Sequence, residues 1–418
     1  MIAPPLSADQ TAAIERIQNL LHGGERVVAL TGHAGSGKTT VLPVTREEIG
    51  GADVAAMSHK AAHVLRGKGV DDVATFHSRC IRGTIYSDVV DRVIAWINNP
   101  TGERYVRIDQ TQKSEAVARS IIESDDYETI DDKLRAMGVK TNKRIKGYKP
   151  GRWIGGTLIV DEASMLDVEM LDCALQVYEN ILLIGDPFQL PPTRGVSALQ
   201  RTIDSGCRAH LSSVHRQRDG SDAQGCATWI RETCKTFGDL ALISDIDVGV
   251  LPIKEAGPVM VRTNESRLKL TRHIRKQLGI DRTALSEGEP VISRSSRKEH
   301  IEDGFYNNAE FTYAGDHCFE RNDGAVLCAG KIKIEVASRP IIHPHAPPDE
   351  KAVRFRHAYA FTAHMAQGSE WPRVQVYWPD VESAIKSGWP DVNFMRSWLY
   401  TACSRARDEV RFFRLPGD

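Results

Sequence analysis

What the chain lacks narrows it first. No apolar run in its 418 residues approaches the ~20 that a membrane-crossing helix needs, which excludes a helical membrane protein and leaves no membrane partner to expect. The opening "MIAPPLSADQ" has no basic stretch followed by an apolar core, so export is not expected; the expected location is cytoplasmic, in a bacterial or phage-infected cell. The eight cysteines form no Cys-x-x-Cys pair and no Cys/His cluster, which excludes a zinc site of ordinary spacing, and they are expected to be reduced and structural. Net charge is only -1, so the molecule as a whole does not attract a polyanion, and any nucleic-acid site must be a local track. No internal repeat or low-complexity tract stands out.

At ~150 residues per domain the length allows two to four compact units. The first clear unit lies in "VVALTGHAGSGKTTVL", where the apolar run Val27 to Leu30 suits a buried parallel strand that turns through glycines into a helix. Gly32, Gly37, Lys38 and Thr39 fill the pattern G-x-x-x-x-G-K-[ST]. Glycines let backbone N–H groups surround phosphates, Lys38 can reach the β and γ oxygens, and Thr39 can hold Mg²⁺. Gly35, Ser36 and Thr40 complete the loop.

A second strand, "GTLIVDEASML", ends in Asp161 and Glu162, where a Mg²⁺ partner and a water-activating base would sit beside such a loop. A solvated helix start also favours acids, but two signals now name one site. A third strand, "NILLIGDPFQLPP", ends with Asp186 and Gln189 before prolines that stop regular structure. This equipment belongs to ATPases and GTPases generally.

Between "ATFHSRC" and the Asp161 strand lie about seventy residues, too many for a structureless loop in a compact domain, so an inserted subdomain is expected. Its end, "KTNKRIKGYKPGRW", interleaves Lys140, Lys143, Arg144, Lys146, Lys149 and Arg152 with Tyr148 and Trp153. That texture suits single-strand binding, and a solvated basic loop explains it equally. In "GPVMVRTNESRLKLTRHIRKQLG" a strand-turn-helix unit reappears: Leu270, Ile274 and Leu278 share a helix face, which leaves Arg267, Arg272, Arg275 and Lys276 largely outside it. From about 288 to 353 the pattern is short and alternating, as in a small β-barrel, followed by the linker "IIHPHAPPDEKA" and a return to α/β character.

Taken in order, these motifs resemble superfamily 1 DNA helicases, specifically the RecD and Dda-like 5′ to 3′ branch (superfamily 1B). "LSADQTAAI" resembles the Q motif, which implies Gln10 for adenine. "AAMSHKAAHVL" and "ATFHSRC" look like motifs Ia and Ib, implying Ser58, Lys60, Thr75 and His77 at the DNA backbone; Thr263 and Asn264 are implied to join them from the second motor domain. "VDEAS" and "GDPFQLPP" match motifs II and III, implying Asp161 for Mg²⁺, Glu162 as base and Gln189 as γ-phosphate sensor. "LSSVHRQ" is similar to motif IV, with Arg216 reaching the phosphates. "FTAHMAQGSEW" is similar to motif V, with Thr362 and His364 facing DNA and Gln367, Gly368 and Glu370 towards the nucleotide. "LYTACSRAR" resembles motif VI, whose arginine falls on Arg405, with Arg407 beyond it.

The implied fold is α/β: two RecA-like P-loop motor domains with parallel sheets, a small inserted 1B subdomain and an SH3-like β-barrel 2B. The implied division is 1–84 with 151–205 (1A), 85–150 (1B, carrying the pin), 206–287 with 354–418 (2A) and 288–353 (2B). The implied activity is ATP-dependent, 5′ to 3′ DNA unwinding with ATP and Mg²⁺. Its partners would be single-stranded DNA and single/double-strand junctions, with replication or recombination proteins beside them, and the chain would act as a monomer. Three other readings stay open: a strand-stimulated translocase with little unwinding, a P-loop module that uses ATP only to remodel nucleic acid, and a small-molecule kinase. The last leaves Gln189 and the second α/β unit without a role.

Overall fold

The structure, a computed structural model, describes residues 6–87, 134, 143–213, 221–243, 245–280, 285–295, 298–330, 332–334 and 352–418. Two parallel sheets form its frame, in an α/β arrangement of two RecA-like units. In the first, six strands run in the order Val73–Thr75, Asp53–Ala56, Thr157–Asp161, Asn180–Gly185, Val27–Gly32, Arg208–Leu211, every pair parallel. Alternate residues of the phosphate-loop strand enter opposite cores: Val28 and Leu30 join Ile17, Leu42 and Leu65, whereas Ala29 joins Leu158 and Leu183. Burial on both faces is why this strand reads as an unbroken apolar run.

The second sheet has five parallel strands, in the order Ala360–Thr362, Val259–Val261, Trp371–Tyr377, Ala406–Arg414, Asp247–Val248. Its core gathers Val374, Val376, Met395, Trp398 and Leu399. A third, six-stranded sheet runs from Val326–Cys328 to Ile332–Ile334 and is antiparallel except for its last pair. Phe305, Phe311, Phe319 and Phe355 fill its interior, with Phe319 and Phe355 stacked at 4.0 Å between ring centroids. Ile81–Ser87 and Lys143–Pro150 pair antiparallel where the expected insertion leaves and rejoins the first unit. Lys140, in the basic stretch, lies outside the described residues, as does most of the expected linker.

Four expectations need correction. Arg208–Leu211, assigned to the second motor domain, hydrogen-bonds along Val27–Gly32, so the first sheet extends past position 205. Val353–His357 pairs with Pro290–Ser293, which carries the third sheet past 353. Cys318 and Cys328, expected to be reduced, form a disulfide between neighbouring strands, because their pairing register sets them opposite each other. On the helix Asn264–Gln277, Arg267 and Arg275 are buried, whereas Leu278, just past its end, is 52% exposed. A buried partner overrides the apolar pattern: Arg275 Nε donates to Glu289 Oε1 at 2.8 Å.

Candidate functional site

Three adjacent strands of the first sheet, Thr157–Asp161, Asn180–Gly185 and Val27–Gly32, all end on the same side, as parallel strands must. The crevice beyond such carboxyl ends is where α/β sheets bind ligands. Here it is a cavity of about 180 Å³ lined by Gly35, Gly37, Lys38, Thr39, Thr40, Asp161, Glu162 and Gln189 from the first unit and by Arg405 from the second. Ala34, Lys68 and Gly185 line it too.

The loop's shape follows from its glycines. Gly35 and Gly37 take left-handed conformations (φ 84° and 83°), and a Cβ at Gly32 would collide with Ser36 Oγ. Gly37 caps the helix Lys38–Glu48, so its amino end opens into the cavity with the positive end of the helix dipole. Lys38 Nζ donates to the carbonyls of Gly32 and His33, both at 2.7 Å.

Opposite lies the acidic pair. Asp161 is buried and its Oδ1 accepts from the Glu162 amide at 3.0 Å; burial and then the neighbouring Glu162 charge push its carboxyl above the usual carboxylate range. Glu162 has φ 58°, a left-handed backbone that is unusual outside glycine. Two crowded acids facing a lysine and a threonine hydroxyl suit a divalent cation. Among the described residues no cluster of three or more His, Cys, Asp or Glu is placed to hold a metal. A site of Thr39 and Asp161 completed by phosphate oxygens and water is the pattern Mg²⁺ accepts.

Gln189 is buried, and its Oε1 has no protein partner. Arg405 is only 2% exposed; its Nε donates to the Thr401 carbonyl at 3.1 Å and its Nη2 to Ser404 Oγ at 3.1 Å. The helix Val392–Cys403 that precedes it meets the first unit directly. Tyr400 Oη donates to Asp186 Oδ2 at 2.7 Å and accepts from the Ala34 amide at 3.2 Å, and Thr401 Oγ1 accepts from the Leu190 amide at 2.9 Å.

Among the described residues, Gln10, Gln367, Gly368 and Glu370 do not line the cavity. Gln10 belongs to a capping box: its Oε1 accepts from the Ser7 amide, and Ser7 Oγ accepts from its own. Gln367 is buried with both amide atoms unpartnered, and Gly368 packs towards Ala61 and Ser58. Glu370 is exposed. Arg216 lies outside the described residues.

The expected strand contacts share a local device. Ser58, Thr75 and Thr263 each cap a helix, accepting from the amides of Ala61, Ser78 and Ser266, and Thr362 occupies the same position before Ala363–Ala366 without a side-chain cap bond. Each follows or ends a strand, two neighbouring strands in each sheet. Asn264 Oδ1 accepts from Arg267 Nε, and burial lowers the basicity of His364. The exposed His77 ring lies 6.0 Å from Tyr148, edge to face. Lys60 is ion-paired to Glu310 of the third sheet, donates to Ser369 Oγ at 2.5 Å and lies over the Trp371 ring. Trp371 Nε1 also donates to Glu310, at 3.2 Å.

Sequence reading missed Lys68, Tyr400 and Glu310. Only Tyr400 left a signal, a phenol inside the apolar run "SWLYTAC" whose hydroxyl must find a partner if buried.

A family model described as "AAA domain" matches residues 5–235, and one described as "UvrD-like helicase C-terminal domain" matches residues 357–413. A probable conjugal transfer protein TraA of Sinorhizobium fredii is 25% identical over 97% of this chain, and TraA of Agrobacterium fabrum is 24% identical over 51% of it. The chain spans only 32% and 14% of those proteins. Among solved structures, Bacteroides Pif1 bound to ssDNA aligns over 96% of this chain and 92% of its own, with a TM-score of 0.51 and 18% identity. A structure of two coordinating Pif1 helicases at forked dsDNA aligns over 98% and 92%, again with a TM-score of 0.51 and 18% identity. These likenesses show a Pif1-like helicase fold.

Proposed function

We propose that this chain, which belongs to the AAA domain family, is a superfamily 1B helicase that couples ATP hydrolysis to 5′ to 3′ movement on single-stranded DNA and to unwinding at junctions. One observation carries the reading: Arg405 reaches from the second sheet's unit into the cavity that holds Lys38, Thr39, Asp161, Glu162 and Gln189 of the first. A cation supplied across a cleft stabilises charge on the transferring phosphoryl only when both walls are in place, and in other nucleotide hydrolases such an arginine contributes ~10³ to 10⁵ in rate. Hydrolysis and closure of the cleft thereby become one event.

In this mechanism the amides of the phosphate loop and Lys38 hold the β and γ phosphates, and Glu162 takes the proton of the attacking water. Gln189, its carbonyl oxygen unpartnered, orients that water or the γ oxygen. Thr39 and Asp161 would hold Mg²⁺, which would supply charge neutralisation to the phosphates. By the same resemblance Arg216 adds a second cation, Gln10 meets adenine, and Gln367, Gly368 and Glu370 relay the nucleotide state towards the strand.

The strand would run over the helix starts capped by Ser58, Thr75, Thr263 and Thr362, whose hydroxyls and amides suit phosphates, with Lys60, His77, Asn264 and His364 beside them. We assign the first motor unit to 1–84 with 151–213, the insertion to 85–150, the β unit to 288–357 and the second motor unit to the rest. The likeness to TraA proteins supports a setting in conjugal transfer.

Duplexes with a single 5′ or 3′ tail test the proposal. Unwinding of the 5′-tailed substrate alone is expected; unwinding from the 3′ tail alone overturns the polarity. Strand-stimulated hydrolysis without unwinding of either substrate reduces the activity to translocation.

A further inference from the structure

We propose that Tyr400 is a positioning residue that couples the phosphate loop and the Gln189 loop to Arg405; this rests on the ATP-driven motor reading above. Tyr400 is almost fully buried, and its hydroxyl meets two groups of the other unit: the carboxylate of Asp186 and the amide of Ala34. Neither is ordinary docking surface. Asp186 uses its second oxygen to accept from the Phe188 amide at 3.0 Å, so one carboxylate both receives Tyr400 and shapes the turn into Gln189. Ala34 lies within the phosphate loop, whose amides are the groups that surround phosphates.

The next residue closes the circuit. Thr401 Oγ1 accepts from the Leu190 amide, so Gln189 is held on both sides by adjacent residues of one helix. The carbonyl of the same Thr401 accepts from Arg405 Nε. The path therefore runs from the Ala34 amide through Tyr400 and Asp186 to the Gln189 loop, and back through Thr401 to Arg405. Each step is a hydrogen bond of 3.2 Å or less.

Packing alone does not account for the phenol. A phenylalanine would keep the ring contact with Phe188, whose centroid lies 6.2 Å away, and would leave the Asp186 carboxylate and the Ala34 amide without the hydroxyl. What the hydroxyl adds is registration. If either loop shifts when phosphate occupies the cavity, the helix that carries Arg405 must follow, and misplacement of a catalytic group by ~1 Å can cost on the order of 10²-fold in rate.

The test is Tyr400→Phe in the full chain, measured beside the wild type for ATP hydrolysis with and without single-stranded DNA, affinity for a fluorescent ATP analogue, and thermal midpoint. The expected result is a kcat ~10 to 100-fold lower, KM for ATP and analogue affinity within about threefold of wild type, and loss of stimulation by the strand. Asp186→Asn should lower kcat similarly, and combining the two should cost little more than either alone. An unchanged kcat and stimulation, a fall in kcat that merely follows a lost folded fraction, or additive effects in the double variant would each overturn the assignment. The wild-type arm tests the motor reading separately. If it hydrolyses ATP without responding to the strand, that reading fails while the split between kcat and KM still decides Tyr400; if it hydrolyses none, both fail.

Discussion

The proposed nucleotide cleft and the proposed strand-facing surface rest on the same two sheets, but their side chains are held in opposite ways. In the cleft, Lys38, Thr39, Asp161, Glu162, Gln189 and Arg405 converge on one cavity. On the strand-facing surface the candidate residues are spread over four helix starts, three of whose hydroxyls are committed to capping, and Lys60 is engaged by Glu310 of the third sheet. The cleft is organised for one small ligand with concentrated charge, whereas the surface offers single phosphate-sized positions that a long polymer must link. Under the proposed function, chemistry would depend on a few exact contacts, and strand binding on many weak ones that salt weakens together.

Arg405→Ala should separate the two regions most sharply. Hydrolysis is expected to fall by ~10³ or more while ATP and single-stranded DNA affinities stay near wild type, because the guanidinium acts on charge that develops in the transition state. Full hydrolysis in this variant would remove the two-walled cleft from the account. Lys38→Ala is expected to cost ~10² to 10³ in rate and, unlike Arg405→Ala, to weaken ATP binding as well, since Lys38 serves bound and reacting phosphates alike. Isothermal titration with ATP distinguishes the pair; equal affinities would contradict the division of labour.

Acid should act on the stability of the fold. Where the second and third sheets meet, buried His357 lies 3.5 Å from Glu289, which also accepts from Arg275 and Tyr359. Burial first, and then the charges of Arg275 and Arg267 against the opposing pull of Glu289, bring His357 down to about 4. Between pH 6.5 and 4 the unfolded chain takes up this proton and the folded one does not, so stability is lost as pH falls through that window, by roughly 3 kcal/mol at full extent. His357→Gln should show a shallower loss of thermal midpoint from pH 7 to 5 than wild type, and an identical slope would contradict it.

The smallest effect is expected from Glu310→Gln. Releasing Lys60 from its ion pair should tighten single-stranded DNA binding by roughly 2 to 5-fold at low salt and leave hydrolysis at saturating strand unchanged. Weaker binding would mean that Glu310 holds Lys60 in place for the strand instead of competing with it.

Strand and loop chemistry was legible because it is local. Val27 to Thr40 carries its own strand, glycines, lysine and threonine, and the runs ending at Asp161 and Gly185 reveal buried parallel strands by their apolar residues. Contacts between distant positions leave no such trace. Tyr400 and Ala34 are 366 residues apart and Lys60 and Glu310 are 250 apart, so neither partner is marked by spacing. Arg275 was misread for a related reason: helical periodicity separates charged from apolar faces, and a buried Glu289 reverses that assignment for one arginine. The disulfide escaped because strand register, which sequence spacing does not give, sets Cys318 opposite Cys328.

The most direct test of the central claim is the steady-state rate of ATP hydrolysis by the full chain with and without single-stranded DNA at low salt. A motor whose cleft closes on the strand predicts strong stimulation that fades as salt is raised; a rate indifferent to the strand at every salt concentration would contradict it.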